Sequence, residues 1–157
     1  MTSPATNNPD TSWLALDRQL CFALYAASLA MTKLYKPLLA ELDLTYPQYL
    51  VMLTLWEGDD QTVSSLGERL TLDSGTLTPL LKRLEASGLV QRQRDAADER
   101  RVRVQLTPTG RALREQALRI PPAVACATQC ELHEITQLTQ RLTELRHHLS
   151  QTSAAPD

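Results

Sequence analysis

Aromatic residues are scarce in this sequence: two Trp, four Tyr and one Phe make up 4% of its 157 residues. Leu, Ala, Gln, Arg and Glu are common instead, a composition that leans toward helix and leaves β-structure a minor share. Cysteine is also sparse. Three residues, Cys21, Cys126 and Cys130, with no C-x-x-C pair, are too few for a disulfide framework. Each thiol is therefore a small apolar filler, a metal ligand or a reactive group. Nothing resembles a cofactor-binding loop, so no cofactor is expected and an enzyme is the least favoured class. Long apolar runs are missing as well: the longest, Leu20 to Met31, falls short of the roughly 20 residues that cross a bilayer. The opening "MTSPATNNPD" lacks the basic start and apolar run of a signal peptide, so a cytoplasmic protein without a membrane partner is expected.

What is there becomes informative once the net charge of −2 is divided along the chain. Residues 82–114 hold nine Lys and Arg against four acids, a local balance of +5, and the rest of the chain carries −7. A basic segment on an acidic body is the electrostatic footprint of a nucleic-acid binder.

Residues 1–11 and the last few, "SAAPD", have no apolar period and are expected to fray. From Ser12, a candidate N-cap, Leu16, Leu20, Leu24, Ala27, Met31, Leu34 and Leu38 mark one face of a long helix containing Pro37. Thr45 with Pro47 just inside opens a second helix through Trp56. A short helix from about Ser64 to Leu70, a tight turn and a longer helix to Ser87 with Gly88 beyond it form a helix-turn-helix candidate. Two short runs, Leu89 to Arg94 and Arg101 to Leu106, flank the polar tip "DAADER" and predict a β-hairpin. Thr107 then caps a helix from Pro108 to Ile120, Pro121 and Pro122 break it, and a last amphipathic helix runs from about Ala123 to Ser150.

In a helix-turn-helix, residues near the start of the second helix reach base edges while their neighbours fix phosphates. Here these are Ser74, Gly75, Thr76 and Thr78, followed by Lys82 and Arg83. The plainer alternative is a helical pair with solvated hydroxyls. The hairpin favours the DNA reading: Arg100 at its tip suits the narrow minor groove, Asp98 can orient the guanidinium, and Arg101 and Arg103 can add phosphate contacts.

The stretch "LDSGTLTPLLKRLEASGLVQRQRDAADERRVRVQLTPTG", Leu72 to Gly110, resembles the winged-helix MarR family of transcription regulators. The resemblance rests on "LEASGLV", the wing's D-x-R as "DER", and the closing "LTPTG", and the helical order fits over about residues 12–150. It implies a mainly α fold with a small β-wing, joined into a homodimer by its N- and C-terminal helices on a pseudo-palindromic double-stranded DNA operator. The expected division is a disordered 1–11, a dimerisation region at 12–44, a winged helix-turn-helix domain at 45–107, C-terminal dimerisation helices at 108–150 and a disordered 151–157.

Beside the leucine stripe, the first helix carries Cys21, Tyr25, Ser28, Thr32 and Tyr35 at spacings of three and four. On a straight helix Cys21 and Tyr35 lie about 20 Å apart, so they meet only across two antiparallel chains. Phenolic hydroxyls donating to the sulfur would favour the thiolate, the form that attacks a peroxide, and the neighbouring Leu20, Phe22 and Leu24 would favour an organic one. As a lone residue, Cys21 is more readily read as a small buried hydrophobe.

"LCFALYAAS", "LYKPLL", "LTYPQYLVML" and "DSGTLTPLLKRLE" look like the organic hydroperoxide resistance regulators, the OhrR branch of that family. The resemblance implies that Cys21 senses peroxide and that Tyr35 and Tyr46 of the partner subunit hydrogen-bond it. It further implies a two-cysteine type, in which Cys126 resolves the oxidised Cys21 into an intersubunit disulfide; spacing does not separate Cys126 from Cys130. Two other readings stand beside it. Cys126, Cys130 and His133 on one helical face could hold zinc, although no metal is expected, and a MarR-type repressor could instead be released by a small phenolic or lipophilic ligand.

Overall fold

In a computed structural model the described residues are 11–153. Two 3-10 turns, Thr11–Leu14 and Leu16–Arg18, precede the first long helix, α1 (Leu20–Ala40). The leucine period thus runs through two elements, and Ser12 caps no long helix. Ala15 and Gln19 sit in extended conformation, and the Gln19 side-chain amide bonds back to the carbonyls of Trp13 and Ala15, separating turn from helix. Pro37 lies inside α1.

Helix α2 (Tyr46–Glu57) begins where its capping signals place it. The Thr45 hydroxyl accepts from the Gln48 N–H at 3.4 Å, and the Gln48 side chain accepts from the Thr45 N–H at 2.8 Å. Helices α3 (Val63–Leu70) and α4 (Ser74–Ala86) follow, capped by Thr62 and Asp73, and Thr71 in left-handed conformation turns the chain between them. Leu77, Leu80, Leu81 and Leu84 bury one face of α4, leaving the other to solvent.

The wing is β2 (Val90–Arg94) paired antiparallel with β3 (Val102–Leu106), in the register Val90↔Leu106 to Arg94↔Val102. A third strand, β1 (Gln61–Thr62), pairs with the other edge of β3. At two residues it is too short to show any alternation in sequence.

Beyond the wing the expected boundaries shift. Helix α5 (Pro108–Ala117) stops before Ile120, and α6 (Ile120–Thr128) carries Pro121 and Pro122 in its first turn, where a missing N–H costs nothing. The prolines therefore start a helix. Gln129, left-handed at φ 54°, ends α6, and the Glu134 carboxylate accepts from the Glu131 N–H at 2.7 Å to begin α7 (Leu132–Ser153). Helical turns reach Thr11 and Ser153, past the expected limits of 11 and 151 for the disordered ends. The rest of those ends, 1–10 and 154–157, lies outside the described residues.

The core joins the end of α1 (Leu39), α2, α3, α4, the wing strands and α6, with Met52, Leu66, Leu84, Val104 and Ile120 fully enclosed. By contrast, α1 buries only Leu39, while Leu20, Phe22, Tyr25, Leu29 and Met31 stand exposed, as do Leu132, Leu138, Leu142 and Leu149 on α7. No helix among the described residues is long and apolar enough to cross a membrane.

Candidate nucleic-acid interface and thiol site

The outer face of α4 presents Ser74, Gly75, Thr76, Lys82 and Arg83 to solvent, with Thr78 half-buried beside them. Asp73 fixes the helix start: it accepts from the Thr76 N–H at 2.8 Å and its hydroxyl at 3.2 Å. This holds Asp73 below the usual carboxylate range. Between α4, the start of α3 and the wing lies a groove of about 260 Å³ that includes Thr78, Arg100 and Arg101 and, unforeseen in sequence, Thr62, Ser64 and Arg92.

At the wing tip the Arg100 side chain is 93% exposed, and Asp98 accepts from its backbone N–H at 3.1 Å and its Nε at 3.3 Å. The carboxylate thus contacts an otherwise solvent-exposed guanidinium. Arg101 lies 3.7 Å from the other Asp98 oxygen and is also exposed. Arg103 departs from expectation. Its Nε donates to Asp60 Oδ1 at 2.8 Å, its Nη2 to the Asp60 carbonyl at 2.7 Å and its Nη1 to Asp95 Oδ2 at 3.5 Å, which turns it into the base of the wing rather than outward to a phosphate. Arg92 is similarly committed, gripping Glu85 of α4 through two side-chain bonds of 2.9 and 2.7 Å.

Cys21 sits exposed in the first turn of α1, on the uncovered apolar face. Tyr35, fourteen residues further along the same unbroken helix, is about 20 Å away at 1.5 Å per residue. Within one chain the two cannot touch. Tyr35 and Tyr46 do come together: their ring centres are 4.7 Å apart, and Tyr49 lies 6.0 and 6.5 Å from them, backed by Trp56 at 6.4 Å. Burial, reinforced by Tyr46 and Tyr49, pushes the Tyr35 hydroxyl up to about 12. It therefore remains a neutral O–H donor at any physiological pH, the form that can stabilise an approaching thiolate.

Cys126 is exposed on α6, whereas Cys130 lies in the α6–α7 linker with its thiol 3.4 Å from the Thr128 carbonyl. With His133 on α7, the three candidate zinc ligands occupy three segments instead of one helical face. No group of three metal-ligating side chains occurs among the described residues.

Trp56, half-buried, donates its indole N–H to the Gly110 carbonyl at 2.8 Å and, with Tyr49, Leu53, Leu118 and Pro121, walls an apolar slot of about 420 Å³. Arg114 and Glu57 also line it, and Glu57 is taken by Arg69.

A family model described as "Transcriptional regulator SarA/Rot" matches residues 33–117. The organic hydroperoxide resistance transcriptional regulator of Bacillus subtilis is 49% identical over 138 residues, covering 88% of this chain and 94% of that one. Among solved structures, AbfR of Staphylococcus epidermidis is 37% identical at a TM-score of 0.72, over 92% of this chain and 99% of its own. AbfR in its reduced form bound to DNA superposes at 0.70 (38% identity; 88% of this chain, 97% of that), and its disulfide-formed state at 0.61 (38%; 89% and 98%).

Proposed function

This chain belongs to the MarR-type winged-helix transcription regulators, and from that premise we propose that it is a repressor that senses organic hydroperoxides through Cys21. The observation that carries this reading is the Tyr35–Tyr46 pair, with Tyr35 held as a neutral donor, on a chain whose own Cys21 is exposed and about 20 Å away. A second copy supplies the missing half. Packing the exposed faces of α1 and α7 against their symmetry mates would cover Leu20, Phe22, Leu29, Leu138 and Leu142 and bring Cys21 of one chain to the tyrosines of the other. Residues 12–44 and 108–150 are then the dimerisation regions and 45–107 the DNA-binding domain.

Reduced, the homodimer sets two α4 helices into successive major grooves of a double-stranded pseudo-palindromic operator, about 34 Å apart. Ser74, Gly75, Thr76 and Thr78 face base edges. Lys82, Arg83 and Arg101 neutralise phosphates, and Arg100 enters the minor groove. The Cys21 thiolate attacks the outer peroxide oxygen; the O–O bond breaks, the alkoxide leaves as an alcohol after taking a proton, and a sulfenic acid remains. A thiol of the partner, Cys126 with Cys130 as the alternative, then attacks that sulfur and expels water, closing an intersubunit disulfide. The similarity to AbfR, solved both on DNA and disulfide-formed, supports this cycle. No cofactor or metal is needed, and the cytoplasm is where such a protein would meet its DNA.

The slot beside Tyr49 favours a second reading, release by a small lipophilic anion, because Arg114 in its lining has no carboxylate partner among the described residues. The experiment that separates them mixes Cys21→Ser with Cys126→Ser, both also Cys130→Ser, allows subunit exchange, and adds cumene hydroperoxide. A reductant-reversible covalent dimer in the mixture, absent from either variant by itself, is expected. Its absence, with wild type also remaining monomeric on the non-reducing gel, would leave ligand binding as the better account.

A further inference from the structure

The wing can aim Arg100 only if the hairpin itself is held at a fixed angle, and β1 contributes just two paired residues to hold it. Beside the Arg92–Glu85 tie to α4, a further restraint is a clasp at the wing's base. Asp60, in the turn between α2 and β1, receives two N–H groups of Arg103, one on Oδ1 and one on its backbone carbonyl, and the same Oδ1 accepts from Gln105 Nε2 at 3.0 Å. The remaining arm of Arg103 reaches Asp95, whose other oxygen accepts from the Ala97 N–H at 2.9 Å and whose own N–H donates to the Arg101 carbonyl at 2.8 Å. One guanidinium thus ties the loop of the wing to the turn that leaves α2.

We infer that Asp60 and Arg103 are positioning residues for DNA binding: their ion pair sets the angle of the wing, and neither contacts the nucleic acid. This rests on the DNA-binding reading above. Two carboxylates already neutralise Arg103, so a phosphate approaching it would meet Asp60 and Asp95 as well. Arg100 lies three residues from Arg103, so loosening the clasp swings a tip about 10 Å away at the rise of a strand. The neighbouring Asp59 strengthens the same junction by accepting from the Leu106 N–H at 2.8 Å and from Arg111 Nη2 at 2.6 Å. Asp60 itself is left-handed at φ 60°, which Asn tolerates as Asp does. Asp60→Asn therefore removes the charge without adding backbone strain.

The alternative, Arg103 as a phosphate ligand, predicts the opposite sign. Removing the Asp60 charge would then free Arg103 and tighten binding. The test measures affinity of the full-length reduced protein, by fluorescence anisotropy over a salt series, for a duplex carrying the region upstream of its own gene. Wild type is compared with Asp60→Asn, Arg103→Lys, the double variant, Arg103→Gln and Arg100→Ala, with circular dichroism melts confirming that each is folded. Positioning predicts that Asp60→Asn and Arg103→Lys each weaken binding by about tenfold, part of what an Arg contact in a groove is worth. The double variant should lose about tenfold as well rather than about a hundredfold, because both changes break one interaction. Arg103→Gln should keep the wild-type salt slope, while Arg100→Ala lowers it by about one counterion. Equal or tighter binding by Asp60→Asn, with a slope reduced by about one in Arg103→Gln, would overturn the inference. So would additive losses in the double variant. If wild type itself ignores the duplex and random-sequence DNA alike, the DNA-binding reading falls and takes this inference with it.

Discussion

Gly110 and Gly88 are required for different reasons, and substituting each by alanine measures the difference. Gly110 sits in the first turn of α5, where a Cβ would overlap the Leu89 carbonyl oxygen, approach its carbonyl carbon to 3.0 Å and lie 3.3 Å from Leu106 Cδ2. The obstacle is backbone of the strand entry, so α5 must back away by on the order of 1 Å to restore ordinary contact. That shift strains two bonds spanning the gap, Trp56 Nε1 to the Gly110 carbonyl (2.8 Å) and the Thr107 N–H to the Leu89 carbonyl (3.1 Å). At about 1 kcal/mol each, plus about 1–3 kcal/mol for overpacking and less about 1 kcal/mol for alanine's better helix propensity, Gly110→Ala should cost about 2–4 kcal/mol. Gly88, at φ 72°, has nothing within 4 Å of the same Cβ, so its alanine costs only the left-handed backbone, about 1–2 kcal/mol. Each kcal/mol moves the melting midpoint of a chain this size by about 2–4 °C. Thermal unfolding at one fixed protein concentration should therefore place Gly110→Ala below Gly88→Ala, and both below wild type. A Gly110→Ala midpoint within about 2 °C of wild type, or equal losses at the two positions, would refute the steric argument.

Tyr35→Phe removes one neutral donor and should slow hydroperoxide oxidation of Cys21 by about five- to tenfold, while reduced protein binds DNA normally; stopped-flow thiol kinetics beside a DNA titration checks both halves. Burial pushes the Asp59 carboxyl up, but the Leu106 N–H and Arg111 outweigh it and leave it below the usual range, and Arg92 does the same for Glu85. A depressed folded value means stability that is complete above the unfolded pKa of about 3.9–4.3 and is lost as pH falls through the lower folded value. Urea midpoints should stay level in this respect from pH 7 to 5 and drop below about pH 4, with a shallower drop in Asp59→Asn; an identical acid drop in that variant would contradict the assignment. Arg100→Ala should weaken operator binding with little change in melting temperature, since its side chain is 93% exposed; a large loss of stability would mean that the tip is structural.

The winged domain was legible because its signals are local. Thr45 with Gln48 and Pro47, Gly88 after α4 and Thr107 before Pro108 each fix a terminus through residues a few positions apart. The start of α1 was not, because the leucine period continues through Gln19 while the break comes from backbone geometry at Ala15 and Gln19. Pro121 and Pro122 misled for a related reason: a proline pair is compatible with ending one helix or opening the next, and only the turn at Leu118–Arg119 decides. It is the left-handed Gln129 ending α6 that separates Cys126 from Cys130 into different elements. At the site, Arg100 with Asp98 was readable as neighbours in sequence, but the partner of Arg103 lies 43 residues upstream, and the ordering of Tyr35, Tyr46 and Tyr49 depends on how α1 packs on α2. Long-range pairing of this kind leaves no mark in local spacing.

In the proposed cycle, oxidation of Cys21 releases DNA. The most direct measurement titrates cumene hydroperoxide into wild type and Cys21→Ser bound to the upstream duplex, following anisotropy and then restoring thiol reductant. Release from wild type but not from Cys21→Ser, reversed by the reductant, is the predicted result. Equal retention, or equal release, by both proteins across the titration would contradict it.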